Sequence, residues 1–164
     1  MARKEYTLEE ISFSKKEHRI IMESALNKWF AIPKILNFVE PKITYPFKFK
    51  NWLSIYGENK NKTTILILRH NHWIIGYVSI IIDDNKGRIL HLFIDHDYRR
   101  QGFGSILLTE IENYSRESGV ITIQLRTQKK NKISLDFFTK LKYQKNQKRK
   151  SKYIRMKKSL IIDC

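Results

Sequence analysis

The sequence predicts an α/β (α+β) fold: a mixed, mostly antiparallel sheet flanked by helices, in the order β-α-α-β-β-β-α-β-α-β-β. Three observations predict it. Between Thr63 and Ile94, apolar runs rich in β-branched residues are broken by two short polar turns, as in hairpin-linked strands. Two stretches, Gly102–Ser118 and Asn131–Leu141, repeat apolar residues three and four apart, the period of a helix. Between them Val120–Arg126 is again of strand type, so strands and helices alternate, as in a sheet with helices on its faces.

The elements follow in order. Tyr6–Ile11 alternates as a first strand. Ser14-Lys15-Lys16-Glu17 reads as a capping box, with Ser14 as N-cap and Glu17 reaching back to its amide. It opens a helix over about Lys15–Phe30, with Ile20, Ile21, Ala25, Leu26 and Trp29 at helical spacing. Pro33, Pro41 and Pro46 punctuate a segment with room for a short helix that the order above does not count, and a further short helix covers about Phe49–Tyr56 and stops at Gly57. After a polar turn, Glu58–Lys62, come strands Thr63–Arg69 and Trp73–Ile82, joined at His70-Asn71-His72. The turn Asp83–Gly87 leads to a strand Arg88–Ile94. The helix from Gly102 buries Ile106, Leu107, Ile111 and Tyr114, and Gly119 ends it. In the helix Asn131–Leu141 the predicted inward residues are Ile133, Phe137, Phe138 and Leu141, and short strands follow near Tyr143–Gln147 and Tyr153–Lys157.

A chain of 164 residues with 41% hydrophobic composition suits one domain over residues 1–164. The lone cysteine, Cys164, allows neither an internal disulfide nor a cysteine-based zinc site. The N-terminus leads into no signal-like apolar stretch and no run suits a spanning helix. The expectation is a cytoplasmic protein without membrane contact.

Charge is uneven. Lys+Arg number 32 against 16 Asp+Glu, a net +16. From Arg126 to Lys158 there are 14 basic residues and one acidic, Asp136. Such a field attracts nucleic acid, acidic proteins or phosphorylated ligands. A coding bias toward lysine (22) and isoleucine (24), with only 3 alanines, produces the same excess without a partner.

The stretch with most chemical content is Asp95-His96-Asp97-Tyr98-Arg99-Arg100-Gln101-Gly102-Phe103-Gly104-Ser105. A strand ends, a loop follows, and two glycines open a helix. Helix-start amides point outward with partial positive charge, and glycine leaves room for a phosphate to reach them. Arg99 and Arg100 add full charges. The three-glycine dinucleotide spacing and the Gly-Lys-Ser/Thr of a Walker A loop are absent.

Here the chain resembles the GNAT superfamily of acyl-coenzyme A-dependent N-acetyltransferases. Arg99-Arg100-Gln101-Gly102-Phe103-Gly104 fits its Arg/Gln-x-x-Gly-x-Gly/Ala signature, with Tyr98 before it and Ser105-Ile106-Leu107-Leu108 after. Asn131 to Tyr143 is similar to its later Asn-x-x-Ala-x-x-Phe-Tyr-Glu-Lys-Leu-Gly-Phe motif. The likeness covers a motif-bearing core of about 63–158. It implies a GNAT fold and acetyl-coenzyme A, or another acyl-coenzyme A, as co-substrate with no metal. It further implies that backbone groups of Leu92, Phe93 and Ile94 hold the acyl and pantetheine portions. The loop Arg99, Arg100, Gln101, Gly102, Phe103, Gly104 and Ser105 would take the pyrophosphate, and Asn131 and Phe138 would line the cofactor arm. The resemblance implies transfer of the acyl group, by direct attack, to an amine on a small molecule, a protein or an aminoacyl-RNA, and the basic region favours an anionic acceptor.

Two positions depart from the family. Phe138 stands where a tyrosine acid is usual, which leaves Tyr143 or Tyr153 as candidate acids. Arg88 stands where many members carry a glutamate base, and arginine cannot accept a proton. His91, three residues on, is the candidate base. Strict alternation puts His91 on the face opposite Arg88; a bulge would re-aim it. Asp83 and Asp84 read as turn residues. His70 and His72 lack a third ligand nearby and read as a turn rather than a metal pair. Trp29, Trp52 and Trp73 read as packing residues. The second functional reading is a GNAT-fold module, weak or inactive as an enzyme, that binds nucleic acid or an acidic partner through its basic region.

Overall fold

A computed structural model describes residues 5–57, 63–146 and 151–161. The polar turn expected at Glu58–Lys62 and the basic turn within Lys142–Lys152 lie wholly or partly outside the described residues. The strands are β1 (Tyr6–Ile11), β2 (Thr63–His70), β3 (Trp73–Asp83), β4 (Lys86–Ile94), β5 (Thr122–Gln128), β6 (Gln144–Lys145) and β7 (Tyr153–Ser159). The helices are α1 (Lys16–Trp29), α2 (Pro33–Val39), α3 (Phe49–Tyr56), α4 (Phe103–Glu117) and α5 (Lys132–Lys140), with a 3-10 turn at His96–Tyr98. The strands make one 7-stranded sheet in the order β1-β2-β3-β4-β5-β7-β6, antiparallel at every junction except the parallel β4–β5 pair.

Each face of the sheet carries its own core. On one, Leu107, Leu108 and Ile111 of α4 and Leu135 and Phe138 of α5 pack against Val78, Ile80, Ile89, Ile123 and Leu125. On the other, Met22, Leu26 and Trp29 of α1, Leu36 of α2 and Trp52 of α3 pack against Ile65, Ile67, Tyr77 and Phe93. Successive strand residues face opposite sides, so the alternation in β2–β5 feeds both cores at once.

Two irregularities shape the centre. Leu68 pairs with Gly76 but Arg69 with Ile74, so Ile75 is an extra residue, and its carbonyl accepts the Asp95 amide at 2.7 Å. Ile80 pairs with Ile89 but Ser79 with His91, so Leu90 is an extra residue in β4. That bulge turns His91 away from the Ile89 face and onto the side of Arg88 and Phe93, as a two-against-one step must. Strands β4 and β5 then part: only Lys86, Gly87 and Arg88 pair, with Thr122, Ile123 and Gln124.

Several sequence expectations are corrected. Ser14 does not cap α1; Lys15 is the N-cap and no side chain caps the helix. Ser12 Oγ accepts the Ser14 amide at 3.2 Å and lies 2.8 Å from its hydroxyl, a local turn that competes with capping. Ile20 and Ile133 are exposed, the latter at 79%. Trp73 is exposed at 71% beside the Asn71-His72 hairpin turn, whereas Trp29 and Trp52 are core residues. Strand β5 begins two residues late because the Val120 amide donates to the Ser115 carbonyl at 2.9 Å, in the exit from α4. The turn predicted over Asp83–Gly87 shortens to Asp84-Asn85, and β6 shrinks to two residues.

Candidate active site

The opening between β4 and β5 is bordered at its far end by the start of α4. Arg100 (φ 59°) and the N-cap Gly102 (φ 85°) both adopt left-handed backbone, which glycine takes without strain. No side chain caps α4, and a Cβ on Gly102 would meet nothing within 4 Å. A helix start of this kind suits an anion. Gly104 also has a packing role. A Cβ there would lie 3.2 Å from Phe137 of α5, so its lack of a side chain lets the two helices approach.

Asp95 fixes the strand end that leads into this loop. Its carboxylate accepts Trp29 Nε1 at 2.9 Å and the Asp97 amide at 3.0 Å, with Lys28 Nζ at 3.4 Å. Burial alone would raise its pKa, but these donors and the Lys28 charge hold it below the usual carboxylate value. Arg99 folds back on β4: its Nε donates to the Ile94 carbonyl at 3.0 Å and its guanidinium lies over the Phe93 ring. Leu92 and Ile94 are half-buried and Phe93 is buried. Arg100, Gln101 and Gly102 are exposed, Phe103 is buried and Ser105 half-buried. Asn131 caps α5, its Oδ1 accepting the Ser134 amide at 3.2 Å.

A buried polar group on the α1–α3 side of β4 is centred on His91. It is 5% exposed, as is Glu40 at the end of α2. His91 Nε2 is 3.1 Å from Glu40 Oε2, and Nδ1 is 3.1 Å from Ser79 Oγ. The Tyr56 hydroxyl donates to the same Glu40 oxygen. Burial would raise the Glu40 pKa, but hydrogen bonds from His91 and Tyr56 and the Lys42 amide keep it lowered, so Glu40 is a carboxylate. Burial lowers the His91 pKa against the pull of Glu40, so the ring is neutral near pH 7. A carboxylate only accepts. Nε2–H therefore donates to Glu40, and Nδ1 accepts the Ser79 O–H. Burial, then the Glu40 contact, raises the Tyr56 pKa. Trp52, Tyr56 and Tyr77 ring the imidazole, with centroids 4.7, 4.7 and 6.0 Å away.

The two candidate acids fall on opposite faces. Tyr143 is 2% exposed in the α4–α5 core, edge-on to Phe138, and its hydroxyl has no hydrogen-bond partner among the described residues. Burial and the nearby Glu112 raise its pKa. The sheet separates it from His91, so the two are not brought together. Tyr153 pairs with Gln128, on the face of Arg126 and His91, and is half-buried under the Arg126 guanidinium at 4.4 Å. Sequence reasoning missed Glu40, Ser79 and Tyr56. Among the described residues no three metal-ligand side chains cluster, and no helix is long and apolar enough to cross a membrane.

Known proteins share this architecture. The ribosomal-protein-S18-alanine N-acetyltransferase from Escherichia coli superposes with a TM-score of 0.72 at 14% identity, covering 98% of this chain and 97% of that one. The GNAT domain of S. lividans PAT gives 0.76 at 12% identity, covering 93% and 89%. The paia N-acetyltransferase from Thermoplasma acidophilum, in complex with coenzyme A, gives 0.68 at 17% identity, covering 94% and 99%. In sequence, a spermidine N(1)-acetyltransferase of Thermoplasma acidophilum is 27% identical over 67 residues, 41% of this chain and 42% of that protein, so the match spans less than half of either. The model of the Acetyltransferase (GNAT) family matches residues 24–143, most of the chain including the strand opening and the α4 loop, and the protein belongs to that family.

Proposed function

We propose that the protein transfers an acetyl group from acetyl-coenzyme A to an amine by direct attack, with His91 as proton acceptor. The observation that carries this reading is the parting of β4 and β5 after Arg88, beside an α4 start that opens on Gly102. Acetyl-coenzyme A, when bound, supplies the thioester that the amine attacks. The main chain of Arg100 to Ser105 holds the diphosphate, with the Arg100 charge beside it. The unpaired edge of β4 at Leu92, Phe93 and Ile94 holds the pantetheine arm, and Arg99 yields the Ile94 carbonyl to it. The amine's proton passes through Ser79 Oγ to His91 Nδ1. Glu40 keeps the Nε2 proton in place and offsets the charge that His91 acquires, which makes it a positioning residue. Tyr153, on the same face, is the proton donor for the departing thiolate. Phe138, buried in the α4–α5 core, serves packing.

A polyamine acceptor, suggested by the name of the Thermoplasma relative, would meet the like charges of Arg88 and Arg126. A second reading, a fold without turnover that holds nucleic acid, is favoured by the exposed basic residues of β5 and β7. Thermal melting separates the two. The enzyme reading expects acetyl-coenzyme A to raise the Tm, by the equivalent of roughly 2.7 kcal/mol at 100 times its Kd, with thiol release on adding an amine panel. Stabilisation by single-stranded RNA with no shift on acetyl-coenzyme A would overturn it.

A further inference from the structure

The face of the sheet that carries His91 is covered by α1–α3 over β2–β4; over β5 and β7 it exposes Gln124, Arg126, Arg155 and Lys157, and α2 meets β5 at Gln128, whose Nε2 donates to the Asn37 carbonyl at 2.8 Å. Through the Leu90 bulge, Arg88 shares this face with His91. Arg88 pairs with Gln124, Arg126 with Arg155, and Gln124 with Lys157, so all five point the same way and all are exposed. Arg126 lies two residues beyond Gln124, the last β5 residue paired with β4, where the strands part. Arg88 and Arg126 thus flank the mouth of the opening on the side of Glu40, Tyr56 and His91.

Among the described residues no carboxylate forms an ion pair with Arg88, Arg126, Arg155 or Lys157. Arg126 faces Arg155 directly across the ladder, an arrangement that costs stability unless an anion lies between or beside the pair. Both Arg88 and Arg126 are near enough to Tyr56 for their charge to pull its phenol pKa down against burial and Glu40. A guanidinium fork is complementary to the oxygens of a phosphate or carboxylate, and two arginines border this opening, Arg126 with its guanidinium 4.4 Å over the Tyr153 ring.

We propose that Arg88 and Arg126 form an acceptor subsite that grips an oxyanion on the substrate, so that the preferred acceptor is an amine bearing a phosphate or carboxylate. This rests on the acetyltransfer reading above. With the anion held at the arginines, the amine end of a short acceptor points toward the strand opening.

The test is calorimetric titration of the coenzyme A-loaded protein with ethanolamine, O-phosphoethanolamine, β-alanine and cadaverine, with thiol release from acetyl-coenzyme A followed separately. O-phosphoethanolamine should bind more tightly than ethanolamine by about tenfold or more, and cadaverine more weakly than either. The β-alanine arm tells a carboxylate preference from a phosphate one. The double variant R88Q/R126Q should lose the preference. K132Q/K140Q removes the same charge from α5, on the opposite face, and should keep it. Equal binding of the first two probes, a preference that survives R88Q/R126Q, or equal loss in both double variants would overturn the subsite. A retained binding preference with no thiol release from any amine would instead overturn the acetyltransfer reading and leave the anion site standing.

Discussion

His91 and Glu40 make the protein's stability sensitive to acid. The folded state holds His91 neutral, whereas the unfolded chain protonates it near the ordinary 6.5. Below that pH the unfolded state binds a proton that the folded state refuses, so stability falls as pH drops through 6.5 toward the lower folded value. Glu40, also depressed, adds a second loss below its ordinary 4.5. Melting curves between about pH 8 and pH 3 should therefore show a decline in two stages, with His91→Gln removing the first and sparing the second. A profile that is the same in His91→Gln would refute the buried neutral imidazole. If His91 is also the base, His91→Ala should lower kcat by about 10²–10⁴-fold and flatten the acid limb of the pH–rate profile. From the sequence, His91 was visible as a titratable group in the right strand. Its partners were not, because Glu40 lies 51 positions away and Ser79 on another strand. Its facing was also hidden: alternation gives the wrong side, and the Leu90 bulge that corrects it leaves no mark in residue type. The same ambiguity made Tyr143 and Tyr153 equal candidates until the register separated them.

At the scale of elements, the loop and helix that open the α4 site were the most legible part of the chain. Glycines, arginines and the helical period coincide within a dozen residues, and the backbone turns where Gly102 permits it. What the sequence hid was the division of labour between the glycines. Gly104 looks like a phosphate-approach residue, but its missing Cβ faces Phe137. Gly104→Val should therefore act as overpacking, costing about 1–3 kcal/mol by pushing α5 from α4. Chemical denaturation checks this; a variant of unchanged stability but weakened coenzyme A binding would return Gly104 to the phosphate. Element ends depended on hydrogen bonds between neighbours that composition does not encode, as with Ser12 capturing Ser14 and Ser115 holding Val120.

Over the whole molecule, the order of elements along the chain was readable because each apolar run has a period and a bounding turn, whereas the strand order within the sheet was not. Which face each strand buries, and where the sheet is left bare, required the assembled register. The sequence concentrates the excess of positive charge in Arg126–Lys158 without showing which face of the sheet carries it. In the fold its arginines on β5 and β7 gather on one exposed face beside the strand opening, joined by Arg88 from β4. This opening, with the start of α4, is the proposed seat of the acetyl donor. A crystal structure of the protein grown with acetyl-coenzyme A tests it most directly. The expected result is the diphosphate on the main chain of residues 100–105, the pantetheine along residues 92–94 of β4, and Arg99 released from the Ile94 carbonyl. Coenzyme bound elsewhere, or an empty opening with Arg99 still on Ile94 under saturating ligand, would contradict it.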